Sequence, residues 1–131
     1  MKTAFNMSLM GVLGLIAGAA AMQVLHAQTA GAPAYLVANI ETVSDAATYA
    51  QYRAVVANTL TPFGGHALAR DATPVPVDSS TLPQGKFVIL QFPSMQALKD
   101  WWNSPAYAAV RPLREKSSQA RLFAVQGLPI P

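Results

Sequence analysis

Cysteine is absent from the 131 residues of this chain. Its absence excludes disulfide bonds, thiolate catalysis and cysteine-based metal sites. Histidine is almost as rare, with His26 near the start of the chain and His66 in the middle. A lone histidine among scattered carboxylates is a weak basis for a zinc or iron site. The sequence therefore predicts no metal and no cofactor.

Charged residues are also few, at 11% of the chain. The formal net charge is +3, and Lys2 is the one Lys or Arg before position 28, so the remainder has eight Lys and Arg against six Asp and Glu. The local basic cluster between 111 and 121 also contains Glu115. Because phosphate-backbone binding needs Lys and Arg gathered on one face, no nucleic-acid partner is predicted.

An uncharged apolar run, Met7–Val24, follows the basic Lys2. Shortly after it, the small residue Ala27 precedes Gln28. A basic start, an apolar core and a small residue at the cut are typical of a secretory signal. We predict a signal peptide over 1–27 and a periplasmic or secreted protein that meets a membrane only transiently. The alternative is an uncleaved anchor, which needs about 20 strongly apolar residues, whereas this run is diluted by three glycines.

The part of the chain after the leader is predicted to form one domain. A small-residue linker over 28–33 precedes it and a tail over 128–131 follows it, which places the domain at 34–127. Proline, serine and glycine between 72 and 85 predict a loop with a candidate edge strand at 75–77. Alternating apolar and polar residues predict the main strands, which lie at 34–41, 66–71, 86–92 and 120–126.

Two helices are predicted from apolar residues at helical spacing. The first follows a cap at Ser44 or Asp45 and carries an apolar stripe from Tyr49 to Leu60. The second begins at Ser94 and restarts at Ser104-Pro105, with serine as the cap and proline in the first turn. Two helices that each bury one stripe against a four-stranded antiparallel sheet, in the order βαββαβ, give an α+β two-layer sandwich of the ferredoxin-like type.

Short motifs at characteristic spacing make the chain similar to a known family. Phe92-Pro93-Ser94 ends the third predicted strand, and Ser104-Pro105 with Tyr107 marks the break in the second helix. The pattern extends over 33–127 and also includes Ala34-Tyr35-Leu36-Val37, Asp45, Tyr49, Tyr52, Phe63-Gly64-Gly65, Arg70 and Arg114. It resembles the family called domain of unknown function 1330. The resemblance implies a dimeric α/β barrel, in which the sheets of two ferredoxin-like protomers face each other, and it implies no activity.

The sequence departs from the pattern of that family at two positions. Many members have glutamate before the Phe-Pro motif and before the final glycine, where this chain has Gln91 and Gln126. An amide cannot take up a proton as a carboxylate does. Acid–base catalysis by these two family positions is therefore excluded here.

Strand parity divides the predicted sheet into two faces. Leu36 and Leu90 belong to the face that the helices cover. The opposite face is predicted to be polar and to carry Tyr35, Asn39, Glu41, His66, Arg70, Gln91 and Gln126. Such groups either line a ligand cavity inside a barrel or hydrogen-bond one another across a dimer interface.

Candidates for catalysis are weak. Histidine is the residue type whose unperturbed pKa suits a general base at neutral pH, and His66 is the one histidine after the leader. Arg70 and Tyr49 are the other weak candidates. Arg70 either holds a ligand carboxylate through paired hydrogen bonds or pairs structurally with Glu41 or Asp78.

The adjacent tryptophans are predicted to have different surroundings. Consecutive helical residues point about 100° apart, so Trp102 is expected in the core and Trp101 at a pocket rim or an interface.

Together these features predict an exported homodimeric domain that binds a small molecule. The predicted ligand-binding residues are Asn39, His66, Arg70, Gln91, Trp101, Tyr107 and Arg114.

The alternative function is a cofactor-independent enzyme of the monooxygenase or isomerase type, which rests on fold-level analogy. Its active site would be a pocket near His66 and Arg70. A buried pocket that holds His66 beside Arg70 or a tyrosine favours this alternative.

Overall fold

Four strands form one antiparallel sheet in the computed structural model, which describes residues 31–131. The order of the strands in the sheet is β2-β3-β1-β4. Their bounds are β1 Ala34–Val43, β2 His66–Ala72, β3 Lys86–Phe92 and β4 Ser118–Gln126. The predicted signal peptide over 1–27 lies outside the described residues, as does the first half of the predicted linker.

Three α-helices within 31–131 lie between the strands. Helix α1 (Ala46–Leu60) follows β1 and continues into a short 3-10 helix at Thr61–Phe63. Helices α2 (Met95–Trp102) and α3 (Pro105–Ser117) together connect β3 to β4. The order of elements confirms the predicted α+β ferredoxin-like fold. None of the described helices has the length and apolar character needed to span a membrane.

The helices begin at residues that the sequence marks as caps. Asp45 caps α1, Ser94 caps α2 and Ser104 caps α3. Each side-chain oxygen accepts a hydrogen bond from the backbone N–H three residues later, at 3.1, 3.0 and 3.2 Å respectively. Because these N–H groups have no partner within their own helix, the three caps determine where the helices start.

The core lies between the helices and one face of the sheet, and Trp101 is at its centre. Its side chain is fully buried, with its ring centroid 5.4 Å from that of Phe92 and 4.1 Å from that of Tyr107. The indole Nε1 donates to Thr59 Oγ1 at 2.9 Å. Trp102 is only partly buried. The prediction of Trp101 at a rim is therefore wrong, because Thr59 gives its buried indole N–H the partner it needs. Trp102, predicted in the core, packs against the core from a partly buried position.

The loop between β2 and β3 contains no strand at 75–77. It is held instead by polar contacts to β1, where Asn39 Nδ2 donates to the carbonyl oxygen of Gln84 at 2.8 Å. Val75 and Val77 are exposed. The predicted edge strand at 75–77 is therefore wrong, because these residues pair with no strand of the sheet.

The register of the sheet corrects two predictions about its faces. Gln126 stands opposite Ala34, on the helix-covered face, because residues directly opposite one another share a face. The pairing of β2 with β3 is irregular between Ala67 and Ala69. An extra residue reverses the alternation of side chains, so Arg70 also points to the helix-covered face. Both residues were predicted on the opposite face.

The sheet face that the helices leave uncovered is called here the open sheet face. Its side chains are Tyr35, Val37, Asn39, His66, Ala69, Ala72, Phe87, Ile89, Gln91, Arg121, Phe123 and Val125. Val37 lies between Ile89 and Phe123 in the middle of the face. Polar groups are confined to the two ends. The open sheet face is thus more apolar than the polar surface that strand parity predicts.

Candidate functional site

A cavity of about 80 Å³ lies between the helix-covered face of the sheet and helices α1 and α3. Its apolar wall is formed by Leu36, Ala38, Ile40, Val56, Ala57, Leu60, Val88, Leu90, Trp101 and Leu122. Its polar lining consists of Tyr49, Tyr52, Arg53, Arg70, Asp71 and Arg114. An apolar cavity with a few convergent polar groups has the usual form of a small-molecule site.

Arg114 is the buried charged group of this cavity. Its side chain is only 9% exposed, and its Nε has no hydrogen-bond partner among the described residues. The carboxylate of Glu115 comes within 3.8 Å of an Arg114 terminal nitrogen, which is too long for a hydrogen bond, and Glu115 itself is exposed. A buried guanidinium without a close carboxylate partner is costly for a folded protein.

Two tyrosines from α1 contribute neutral hydroxyl groups. The hydroxyl oxygen of Tyr52 lies 3.4 Å from that of Tyr107 on α3. Burial raises the pKa of Tyr49, and it raises the pKa of the more deeply buried Tyr52 further. Both hydroxyls are therefore protonated at neutral pH and act as hydrogen-bond donors, not as bases.

Three exposed charged residues line the solvent side of the cavity. A terminal nitrogen of Arg53 lies 2.6 Å from Asp71 Oδ2, and both side chains are half exposed. Arg70 forms no ion pair with any described residue. Its two predicted partners are engaged elsewhere, since Glu41 pairs with Arg121 at 2.5 Å and Asp78 accepts from the backbone of Ser80.

The structure brings only part of the predicted ligand-binding set together. Arg70, Trp101 and Arg114 line the cavity, as does the weak catalytic candidate Tyr49. Tyr107 is fully buried and does not line the cavity itself, but its hydroxyl lies beside the hydroxyl of Tyr52, which does. These residues come from α1, α2, α3 and β2.

The other predicted residues lie elsewhere. His66 and Gln91 stand opposite each other on the open sheet face, and His66 is exposed. Asn39 lines a separate cleft with Glu41 and Arg121. Hence the pocket holding His66 beside Arg70, which would favour the enzyme alternative, is not formed within the described chain.

Arg53 and Asp71 are cavity residues that the sequence did not predict. Arg53 stands one helical turn after Tyr49, a spacing that places both on one side of α1. That signal was available in the sequence. Asp71 gave none, because the irregular pairing of β2 decides where its side chain lies. Within residues 31–131, no three His, Cys, Asp or Glu side chains come close enough together to hold a metal ion.

The family model of the domain of unknown function DUF1330 matches residues 33–128. The chain belongs to this family. No curated protein matches this DUF1330 chain.

Solved structures similar to this DUF1330 chain share its fold at low sequence identity. A protein of unknown function from Rhodopseudomonas palustris has a TM-score of 0.58 and 15% identity, covering 76% of this chain and 85% of that one. A hypothetical protein from Arabidopsis thaliana has a TM-score of 0.50 and 12% identity, covering 77% and 89%. A dimeric ferredoxin-like protein of unknown function from Thermobifida fusca has a TM-score of 0.47 and 11% identity, covering 75% and 92%. Similarity at this level shows a fold and not a function.

Proposed function

We propose that this DUF1330 protein is an exported homodimer that binds a small molecule in the cavity between α1, α3 and the sheet. One observation carries the binding proposal: the Nε of Arg114 is buried at an apolar cavity and has no hydrogen-bond partner in the described chain. Buried polar groups are otherwise almost always hydrogen-bonded. A ligand oxygen that binds the Arg114 guanidinium at the cavity would offset the cost of burying this charge.

The size of the cavity limits what it encloses. At about 80 Å³ it has roughly half the volume of an engineered apolar cavity of about 150 Å³ that binds benzene. The cavity therefore encloses the head of a ligand. Any longer part extends outward between Arg53 and Arg70, where the cavity lining is exposed.

Binding is proposed in preference to catalysis because the cavity contains no suitable base. His66 is not among its lining residues. Burial raises the pKa of Tyr49 and of Tyr52, which keeps their hydroxyls protonated. Asp71 is the one carboxylate of the lining, and it is ion-paired with Arg53. The cofactor-independent enzyme that the sequence offers as an alternative requires a proton acceptor near its substrate.

The homodimer is supported by the open sheet face. Phe123 is 53% exposed and Val125 is 43% exposed in the single chain. An apolar face of this kind is covered most simply by the same face of a second copy, since a twofold interface is self-complementary.

The binding proposal is tested by native mass spectrometry of protein recovered from cells that express the full chain. We expect a small molecule to be retained by the wild type and lost in Ala57→Leu, which adds side-chain volume to the cavity wall. Ala54→Leu, an exposed position on the same helix, is the matched control and should retain it. Equal retention by Ala57→Leu would show that the molecule binds elsewhere.

Export is tested on the same material by N-terminal sequencing. We expect the recovered protein to begin at Gln28, after removal of residues 1–27. Recovery of the chain with Met1 intact would contradict cleavage.

A further inference from the structure

The charged residues that line the cavity indicate which class of ligand it binds. Arg53, Arg70 and Arg114 all line it, whereas Asp71 is the one carboxylate of the lining. Arg53 and Asp71 neutralise each other across 2.6 Å. Arg70 and Arg114 are then left without a carboxylate at hydrogen-bonding distance among residues 31–131. The cavity is accordingly built for a negatively charged group.

Arg114 determines the shape of that group. Its side chain is 9% exposed and its Nε is unpartnered. The guanidinium is a rigid planar fork that matches a carboxylate through two parallel N–H···O bonds. A bound carboxylate would supply both the missing acceptor and the missing negative charge.

The apolar wall argues for a carboxylate and against phosphate. Leu36, Val56, Val88, Leu90 and Leu122 contribute hydrocarbon surface to the cavity. A phosphate carries more charge and more hydration, and removing that hydration in an apolar cavity is costly. An alkyl carboxylate places one charge on Arg114 and its hydrocarbon against this wall.

On the basis of the proposed function, we propose that the ligand is a short-chain monocarboxylate whose carboxylate binds Arg114. The cavity of about 80 Å³ has roughly half the volume of an apolar cavity of about 150 Å³ that holds benzene. It accommodates the carboxylate and a few carbon atoms. If the ligand has a second oxygen on its carbon chain, the tyrosine hydroxyls and Arg70 are available to donate hydrogen bonds to it.

The test is isothermal titration calorimetry with acetate, propionate and butyrate on protein recovered from cells expressing the full chain. The matched amides, acetamide, propionamide and butyramide, serve as neutral probes of the same shape, and inorganic phosphate serves as the competing anion. We expect saturable binding of propionate or butyrate. Arg114→Met should weaken it roughly tenfold to a hundredfold, the range for loss of a charged hydrogen bond. Lys116→Met, which removes an exposed positive charge from the same helix, should leave it unchanged.

The outcomes separate this inference from the proposed function. Amides that bind as well as the acids, with binding lost in Ala57→Leu but not in Arg114→Met, would overturn the carboxylate and leave the cavity as a binding site. Tighter binding of phosphate than of any acid would also overturn it. No binding of any probe, together with no molecule retained in native mass spectrometry, would overturn both proposals.

Discussion

At the scale of single residues, Arg114 is expected to lower the stability of the ligand-free protein while it provides the binding group for the ligand. Its buried Nε has no partner in the described chain, and an unsatisfied buried polar group costs about 1–3 kcal/mol. Methionine keeps much of the apolar stem and removes the charge. We therefore expect Arg114→Met to raise the free energy of unfolding of the ligand-free protein by about 1 kcal/mol or more, measured by urea denaturation.

The control for this prediction is Lys116→Met. Lys116 is exposed on the same helix, and such surface changes stay within about 0.5 kcal/mol. A fall in stability for Arg114→Met would indicate that the guanidinium stabilises the fold and is not held for a ligand.

Gly85 is a residue that tolerates no side chain. Its φ is +85°, and a Cβ atom would lie 2.0 Å from the carbonyl oxygen of Ile40. The position carries two penalties, a left-handed backbone and an overlap with the backbone of β1. We expect Gly85→Ala to lower the free energy of unfolding by about 2–4 kcal/mol, measured by urea denaturation. Gly31→Ala, where a Cβ would meet nothing within 4 Å, should leave stability unchanged.

At the scale of secondary-structure elements, the start of α1 gives the protein a pH dependence. Asp45 accepts hydrogen bonds from the hydroxyl and the backbone N–H of Thr48, and these bonds lower its pKa below the ordinary value of 3.8. A carboxyl whose pKa is lower in the folded state stabilises the protein above its unfolded pKa. That stabilisation is lost as the pH falls through the folded pKa.

Asp45→Asn tests this dependence, since asparagine caps a helix well but does not titrate. We expect the wild type to have the higher thermal midpoint at neutral pH. The difference in midpoint between wild type and variant should become smaller below about pH 4, where the Asp45 carboxylate is protonated. Ser79→Ala, in the exposed loop between β2 and β3, should follow the wild-type curve. Parallel curves for wild type and Asp45→Asn down to pH 2 would contradict the predicted role of the cap.

Elements with local signals were predictable, and elements that depend on a partner strand were less so. Ser94 and Ser104 mark helix starts because the serine oxygen accepts from a backbone N–H that is only three residues later in the chain. The orientation of Arg70 depends on one extra residue of β2 relative to β3. The alternation of apolar and polar residues within β2 does not reveal this irregularity. Strand parity therefore assigned Arg70 to the wrong face.

At the scale of the whole molecule, the open sheet face determines the expected assembly. Phe123 lies on the edge strand β4, beside Val37 in the middle of this face. In a homodimer through this face, Phe123→Glu would bury a carboxylate from each protomer, at a cost of about 3 kcal/mol or more. We expect the wild type to be a dimer and Phe123→Glu a monomer at micromolar concentration, measured by light scattering. Ala109→Glu, exposed on α3, should remain dimeric. A monomeric wild type would contradict the proposal.

The sequence by itself determined the ferredoxin-like order of elements, the helix caps and the candidacy of Arg70, Trp101, Tyr107 and Arg114. These follow from neighbours within a few residues and from motifs at fixed spacing. It did not determine that Arg114 is buried without a partner, or that His66 lies away from the cavity. Both depend on tertiary contacts, because the pairing of β2 with β3 and the packing of α1 against α3 join residues far apart in the chain. The absence of cysteine and the scarcity of histidine set limits on chemistry from the start. Only the tertiary structure gathered the arginines around one small cavity.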